Sequence, residues 1–141
     1  MTDPIARRKE RILIVEDDPT VRQGLVQILE GRGFEAVQAE DAQGGFLKTM
    51  TLKPDLVVLD IIMPVRSGIE LCKKLKKDER SRDIPILLLS ALSEKEQRRE
   101  RHWKGPPAAD DFVAKPYKPQ DLLDRIDRLL SSRPNKPPAR K

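Results

Sequence analysis

Arg11-Ile-Leu-Ile-Val15 is an apolar run with no polar residue after its first position, and Glu16-Asp-Asp-Pro19 follows it at once. Four consecutive apolar residues without alternation predict a strand buried on both faces. Asp18 before Pro19 predicts a helix N-cap followed by proline at the first helical position. Val21, Leu25, Ile28 and Leu29 then recur at helical spacing until Gly31 and Gly33. A buried strand, an acidic loop and an amphipathic helix make one βα unit, and the rest of the chain repeats that pattern.

Residues 34–39 read as a second strand, and a helix over residues 41–52 is stopped by Lys53-Pro54. Leu56-Val-Val-Leu59 is a third buried strand that ends at Asp60. After a loop over residues 63–68, Ile69, Leu71, Cys72 and Leu75 mark a third helix. Residues 85–89 form a fourth strand ending at Ser90. Ser93-Glu-Lys-Glu96 is a capping box that opens an almost wholly polar helix reaching residue 104. Asp111–Ala114 is the fifth strand, Lys115-Pro116 follows it, and Leu122, Leu123, Ile126, Leu129 and Leu130 build the last helix. Five strands alternating with five helices predict an α/β, doubly wound parallel sheet with helices on both faces. The expected body is residues 11–131, between a basic N-terminal extension (1–10) and a Pro- and base-rich tail (132–141).

Composition narrows the class. The chain has 141 residues, 38% hydrophobic and 36% charged, so one aliphatic core fits beneath a very polar surface. No apolar run approaches the ~18 residues of a membrane span, and no apolar segment follows the N-terminal bases as in a signal peptide. The expected location is therefore the cytoplasm. Cys72 is the only cysteine, which excludes an internal disulfide and a cysteine-built zinc site. The net charge of +5 lies in the ends: +2 in residues 1–11 and +4 in residues 133–141, against −1 in the body. That distribution argues against nucleic-acid recognition through the body itself.

In a doubly wound sheet, ligands bind outside the carboxyl ends of the strands. Those ends carry Glu16-Asp-Asp18, Asp60 and Ser90, and Lys115 follows the last strand. Carboxylates gathered in a cleft repel one another and call for a cation, and oxygen donors suit Mg²⁺. A lysine and a hydroxyl beside such a site are parts that hold phosphoryl oxygens. An aspartate at its centre can act as nucleophile and form an acyl phosphate. Each residue also has a plain structural reading, as a cap or a loop start; their joint placement carries the argument.

These motifs resemble the receiver domain of bacterial two-component response regulators, from about Arg11 to Leu130. The resemblance is carried by Ile12-Leu-Ile-Val-Glu-Asp-Asp18, Pro54-Asp-Leu-Val-Val-Leu-Asp60 with Met63-Pro64 and Gly68, Pro85-Ile-Leu-Leu-Leu-Ser-Ala91, and Asp110-Asp-Phe-Val-Ala-Lys-Pro116. It implies a flavodoxin-like (βα)5 fold in which Asp60 accepts a phosphoryl group from a sensor histidine kinase or phosphotransfer protein. It further implies Mg²⁺ held directly by Asp17 and Asp60, by Glu16 through water, and by the backbone carbonyl of Ile62. Ser90 and Phe112 correspond to the switch hydroxyl and switch aromatic, and Lys115 to the lysine that pairs with the phosphoryl group. The implied partners downstream are an effector protein, a covalently linked output domain or a second copy of the domain.

The chain departs from the family pattern twice. Position 62 is isoleucine, which offers the site only its carbonyl, and Lys104-Gly-Pro-Pro-Ala-Ala-Asp-Asp111 is longer than the usual turn before the fifth strand. The first departure also weighs against a phosphohydrolase, whose acid/base aspartate would stand two residues after Asp60. The expectation is a self-phosphorylating switch and not a classical enzyme; the alternative is a phosphorylation-independent scaffold of the same fold.

Overall fold

A computed structural model of the chain describes residues 9–60, 65–90 and 109–133, with backbone only at 65–67 and 90. Ile62, the Met63-Pro64 pair, the expected helix at 93–104 with His102 and Trp103, and the side chain of Ser90 lie outside the described residues.

Strand β1 is Arg11–Val15, β2 Glu35–Ala39, β3 Leu56–Asp60, β4 Ile86–Ser90 and β5 Asp111–Ala114. Helix α1 is Pro19–Gly31, α2 Ala42–Leu52, α3 Val65–Lys77 and α4 Pro119–Ser131. The five strands form one sheet in the order β2-β1-β3-β4-β5, every neighbouring pair parallel. Strand order reverses at β1, whose residue Ile14 lies opposite Gln38 of β2 on one side and Val58 of β3 on the other. None of the described helices is long and apolar enough to cross a membrane.

The apolar runs are buried on both sides, as a parallel sheet requires. Ile12, Ile14, Leu56, Val58, Leu87, Leu89 and Val113 pack with Leu25 and Leu29 of α1 and Leu122, Ile126 and Leu130 of α4. Leu13, Val15, Val57, Leu59, Ile86 and Leu88 pack with Leu71, Cys72 and Leu75 of α3 and Phe46 and Met50 of α2. The four described helices therefore divide two and two over the sheet.

The caps follow the sequence. Asp18 Oδ1 accepts from the backbone N–H groups of Thr20 and Val21 to start α1, and Gly33 supplies a φ of 100° in the turn after it. Asp41 caps α2, which stops at Lys53 in a left-handed conformation just before Pro54.

Two expectations are corrected. Helix α3 begins at Val65, inside the expected 63–68 loop, so Gly68 lies in its first turns and is buried. Packing of Leu71, Cys72 and Leu75 on the sheet outweighs the weak helix propensity of Ser-Gly. Arg133, expected in a solvated tail, has a side chain only 7% exposed. It donates to Asp55 Oδ1 and Glu10 Oε2, each at 3.0 Å, and to the Leu130 carbonyl at 2.9 Å. Asp55 also accepts from the Arg11 backbone N–H at 2.7 Å. Residues from both expected flanks, Glu10 and Arg133, thus close the edge of the sheet where β1 and β3 begin.

Candidate functional site

Side chains alternate along a strand, so Leu56, Val58 and Asp60 share the face of β3 covered by α1 and α4. Glu16 and Lys115 hold the next positions of the same parity beyond Ile14 in β1 and Val113 in β5. All three stand at the carboxyl ends of their strands, beside the strand-order reversal where α/β sheets bind ligands.

The structure brings these three together. Asp60 is fully buried and Glu16 is 2% exposed. The Lys115 ammonium reaches back from the end of β5 to hydrogen-bond Asp60 Oδ2 and lies 4.0 Å from Glu16 Oε1. Glu16 Oε2 accepts from the backbone N–H of Asp18 at 2.9 Å, which turns the loop back over the strand end. Its other oxygen, Oε1, is buried and accepts no hydrogen bond among the described residues. Burial first, and the adjacent Asp60 carboxylate next, push the Glu16 carboxyl up to about 8. Two buried carboxyl groups thus share one ammonium.

Asp17 is placed differently: it is exposed, on the rim of this floor. Among the described residues, no three acidic, histidine or cysteine side chains are gathered so as to hold a metal ion by themselves. The side chains alone therefore do not close the cation site expected from sequence, because Lys115 already neutralises Asp60. The residues present still fit a hard cation. The donors are oxygens, Glu16 Oε1 is buried and accepts no hydrogen bond among the described residues, and two buried carboxyl groups face the one Lys115 ammonium. Glu16, Asp17 and Asp60 are the side chains that would hold it; the carbonyl of Ile62 lies outside the described residues.

Phe112, opposite Leu88 in the β4–β5 register, is half-buried and packs on the core beneath α2 and α3. Its carbonyl accepts from Arg125 Nη1 at 3.3 Å, and the same nitrogen binds the Asp111 carboxylate at 2.9 Å. Helix α4 thereby grips the start of β5. Sequence reasoning passed over Tyr117, two residues after Lys115. Its ring is partly buried against the α1 and α4 side of the core, and burial, then the Asp60 and Glu16 carboxylates, push its phenol pKa upward. The signal available in the sequence was its position, directly after a Lys-Pro pair at a strand end.

Comparison with known proteins gives the family and the fold. Residues 12–127 match the response regulator receiver domain. The phosphate regulon transcriptional regulatory protein PhoB of Pseudomonas aeruginosa is 39% identical over 119 residues, 84% of this chain and 51% of that protein. The chain spans about half the length of the curated relatives it matches. Among solved structures, the receiver domain of a signal transduction histidine kinase from Syntrophus aciditrophicus is 36% identical with a TM-score of 0.75, over 86% of this chain and 90% of that one. The response regulator TrrA of Thermotoga maritima, in complex with Mg²⁺ and BeF, is 33% identical with a TM-score of 0.72, over 86% of this chain and 99% of that one.

Proposed function

The chain belongs to the response regulator receiver family of two-component signalling, and from that premise we propose that Asp60 accepts a phosphoryl group in a Mg²⁺-dependent reaction and that Lys115 reads the result. The observation that carries this reading is the buried Glu16–Asp60–Lys115 cluster at the carboxyl ends of β1, β3 and β5.

An Asp60 carboxylate oxygen attacks the phosphorus of the donor, the bond from phosphorus to the donor's leaving atom breaks, and an acyl phosphate remains on Asp60. A bound Mg²⁺ would neutralise phosphoryl oxygens that otherwise face Glu16 and Asp17. The Lys115 ammonium, already on Asp60, moves its hydrogen bonds to a phosphoryl oxygen and draws the end of β5 with it. Phe112 lies on that strand and is the described side chain placed to carry the shift outward, joined in this reading by the hydroxyl of Ser90 at the end of β4.

The donor is a sensor histidine kinase or phosphotransfer protein, and the setting is the cytoplasm. The receiver comprises residues 11–131 together with Glu10 and Arg133. The named relatives include a transcriptional regulatory protein, which supports an output partner or a linked output domain for this receiver, with a second copy of the receiver as the other recipient. Catalysis is confined to forming and losing the chain's own acyl phosphate.

Incubation with acetyl phosphate tests the reading. Wild-type protein should gain one phosphoryl group in MgCl₂ and none in EDTA, and Asp60→Asn and Asp17→Ala should gain none. A wild-type protein that takes up no phosphoryl group under any of these conditions would make the scaffold reading the better one.

A further inference from the structure

We propose that Arg22 is a positioning residue for the cation site, holding the acidic loop in place from behind; this rests on the functional reading above. Glu16 has left the β1 ladder, and its N–H still reaches the Ala39 carbonyl of β2 at 3.0 Å. The Glu16 carbonyl accepts from Arg22 Nη1 at 2.7 Å. The same guanidinium donates through Nε to Gln38 Oε1 of β2 at 3.0 Å. Gln38 is itself held, because its backbone carbonyl accepts from Lys48 of α2. One planar side chain therefore ties the loop to the edge strand and, through it, to the second helix.

The place of Arg22 in α1 makes the tie a closed loop. Asp18 caps the helix, and the Arg22 N–H makes the first helical bond to the Asp18 carbonyl at 2.9 Å. Glu16 Oε2 holds the Asp18 N–H at 2.9 Å. Asp17 thus sits between two backbone positions, Glu16 and Asp18, that are both fixed by hydrogen bonds. Asp17 is exposed, so these two fixed backbone positions set where its side chain leaves the chain beside the Glu16 carboxyl. Arg22 supplies the bond on the Glu16 side.

A guanidinium can bridge two acceptors in one plane, whereas an ammonium of the same charge cannot hold that geometry. This separates positioning from charge. A cation behind three acids opposes Mg²⁺ electrostatically, so a purely electrostatic Arg22 would weaken metal binding, and removing it would tighten binding. A positioning Arg22 acts in the opposite direction.

The test is isothermal titration of MgCl₂ into the full chain for wild type, Arg22→Lys, Arg22→Met and Gln38→Leu, with thermal unfolding in EDTA as control. Outer partners of metal ligands are worth about 10-fold or more in affinity, so Arg22→Lys and Arg22→Met should each raise the Mg²⁺ Kd about 10-fold. Gln38→Leu should fall between them and wild type. Phosphoryl uptake from acetyl phosphate should return close to the wild-type rate at saturating Mg²⁺. Should Arg22→Met not fold, Arg22→Lys and Gln38→Leu carry the same comparison. A Kd within twofold of wild type in both Arg22 variants, or tighter binding in Arg22→Met with Arg22→Lys unchanged, overturns the proposal while leaving the Mg²⁺ site standing. Wild-type protein that binds no Mg²⁺ overturns the functional reading itself, and this inference with it.

Discussion

Lys115, one residue beyond the end of β5, places its ammonium on the carboxylate of Asp60 at the end of β3, with the end of β4 between them. Asp60 is fully buried and the Lys115 side chain is 17% exposed, so the pair is shielded from bulk water and Lys115 has a structural role besides the phosphoryl pairing proposed for it. Lys115→Ala would leave the buried Asp60 and Glu16 carboxyl groups without that ammonium, a change that costs about 3–5 kcal/mol in comparable sites. Urea unfolding in EDTA at pH 8 should show that loss. Stability equal to wild type would mean that the pair contributes only to signalling.

Glu16 should limit the stability of the metal-free protein. Its carboxyl is pushed from 4.5 up to about 8, so between those values the folded protein keeps a proton that the unfolded chain has released. Stability therefore falls as pH rises from about 4.5 to about 8 and then levels off. Glu16→Gln removes that ionisation. In EDTA it should stabilise the protein at pH 8 and do so far less at pH 5. Thermal melts at the two pH values check this, and a gain that does not depend on pH would contradict it.

Gly45 looks like a poor helix residue, yet alanine there should destabilise. A Cβ at Gly45 would lie 2.9 Å from Val15 Cγ2 and 3.2 Å from Leu71 Cδ2, where α2 crosses the end of β1. The strain of overpacking, about 1–3 kcal/mol, exceeds the ~1 kcal/mol gained in helix propensity. Gly44→Ala, whose nearest contact is the Asp41 cap at 3.1 Å, should cost less. The reverse order in chemical denaturation would refute the close-packing account.

These contrasts mark what the sequence could express. The strands were legible because Ile12-Leu-Ile-Val15 and Leu56-Val-Val-Leu59 are buried on both faces, and burial of that kind is written locally. Asp18-Pro19 and Lys53-Pro54 were legible because capping chemistry acts within one turn. Asp60, Glu16 and Lys115 could be singled out because parallel order puts the carboxyl ends of their strands along one edge. Arg22 gave no signal, and Arg133 was read as part of a tail, because Gln38, Asp55 and Glu10, which hold them, are 16 to 123 residues away and no periodicity reports the partner of a polar group. The start of α3 at Val65 was missed for a related reason: packing of its later turns decides it, against the local signal of Ser67-Gly68.

The Arg133 contacts predict a dissection between stability and function. Arg133 bridges Asp55 and Glu10 where β1 and β3 begin, and the acidic site lies where they end, a five-residue strand or about 17 Å away. Arg133→Ala leaves Asp55 buried with one ion partner fewer and should lower stability by about 1–3 kcal/mol. Its Mg²⁺ affinity and phosphoryl uptake at 20 °C should match wild type. An altered Mg²⁺ Kd together with unchanged stability would place the effect of Arg133 at the site instead of at the base of the sheet.

On the proposed function the phosphoryl group resides on Asp60. An acyl phosphate is reduced by borohydride to the alcohol, which converts an aspartyl phosphate into homoserine and leaves free carboxylates untouched. Protein treated with acetyl phosphate and MgCl₂, reduced and digested, should yield by tandem mass spectrometry a peptide with homoserine at position 60. The conversion should be absent when MgCl₂ is replaced by EDTA. Homoserine at Asp17 or Asp18 with Asp60 intact, or no conversion anywhere in a protein that binds Mg²⁺, would contradict the account.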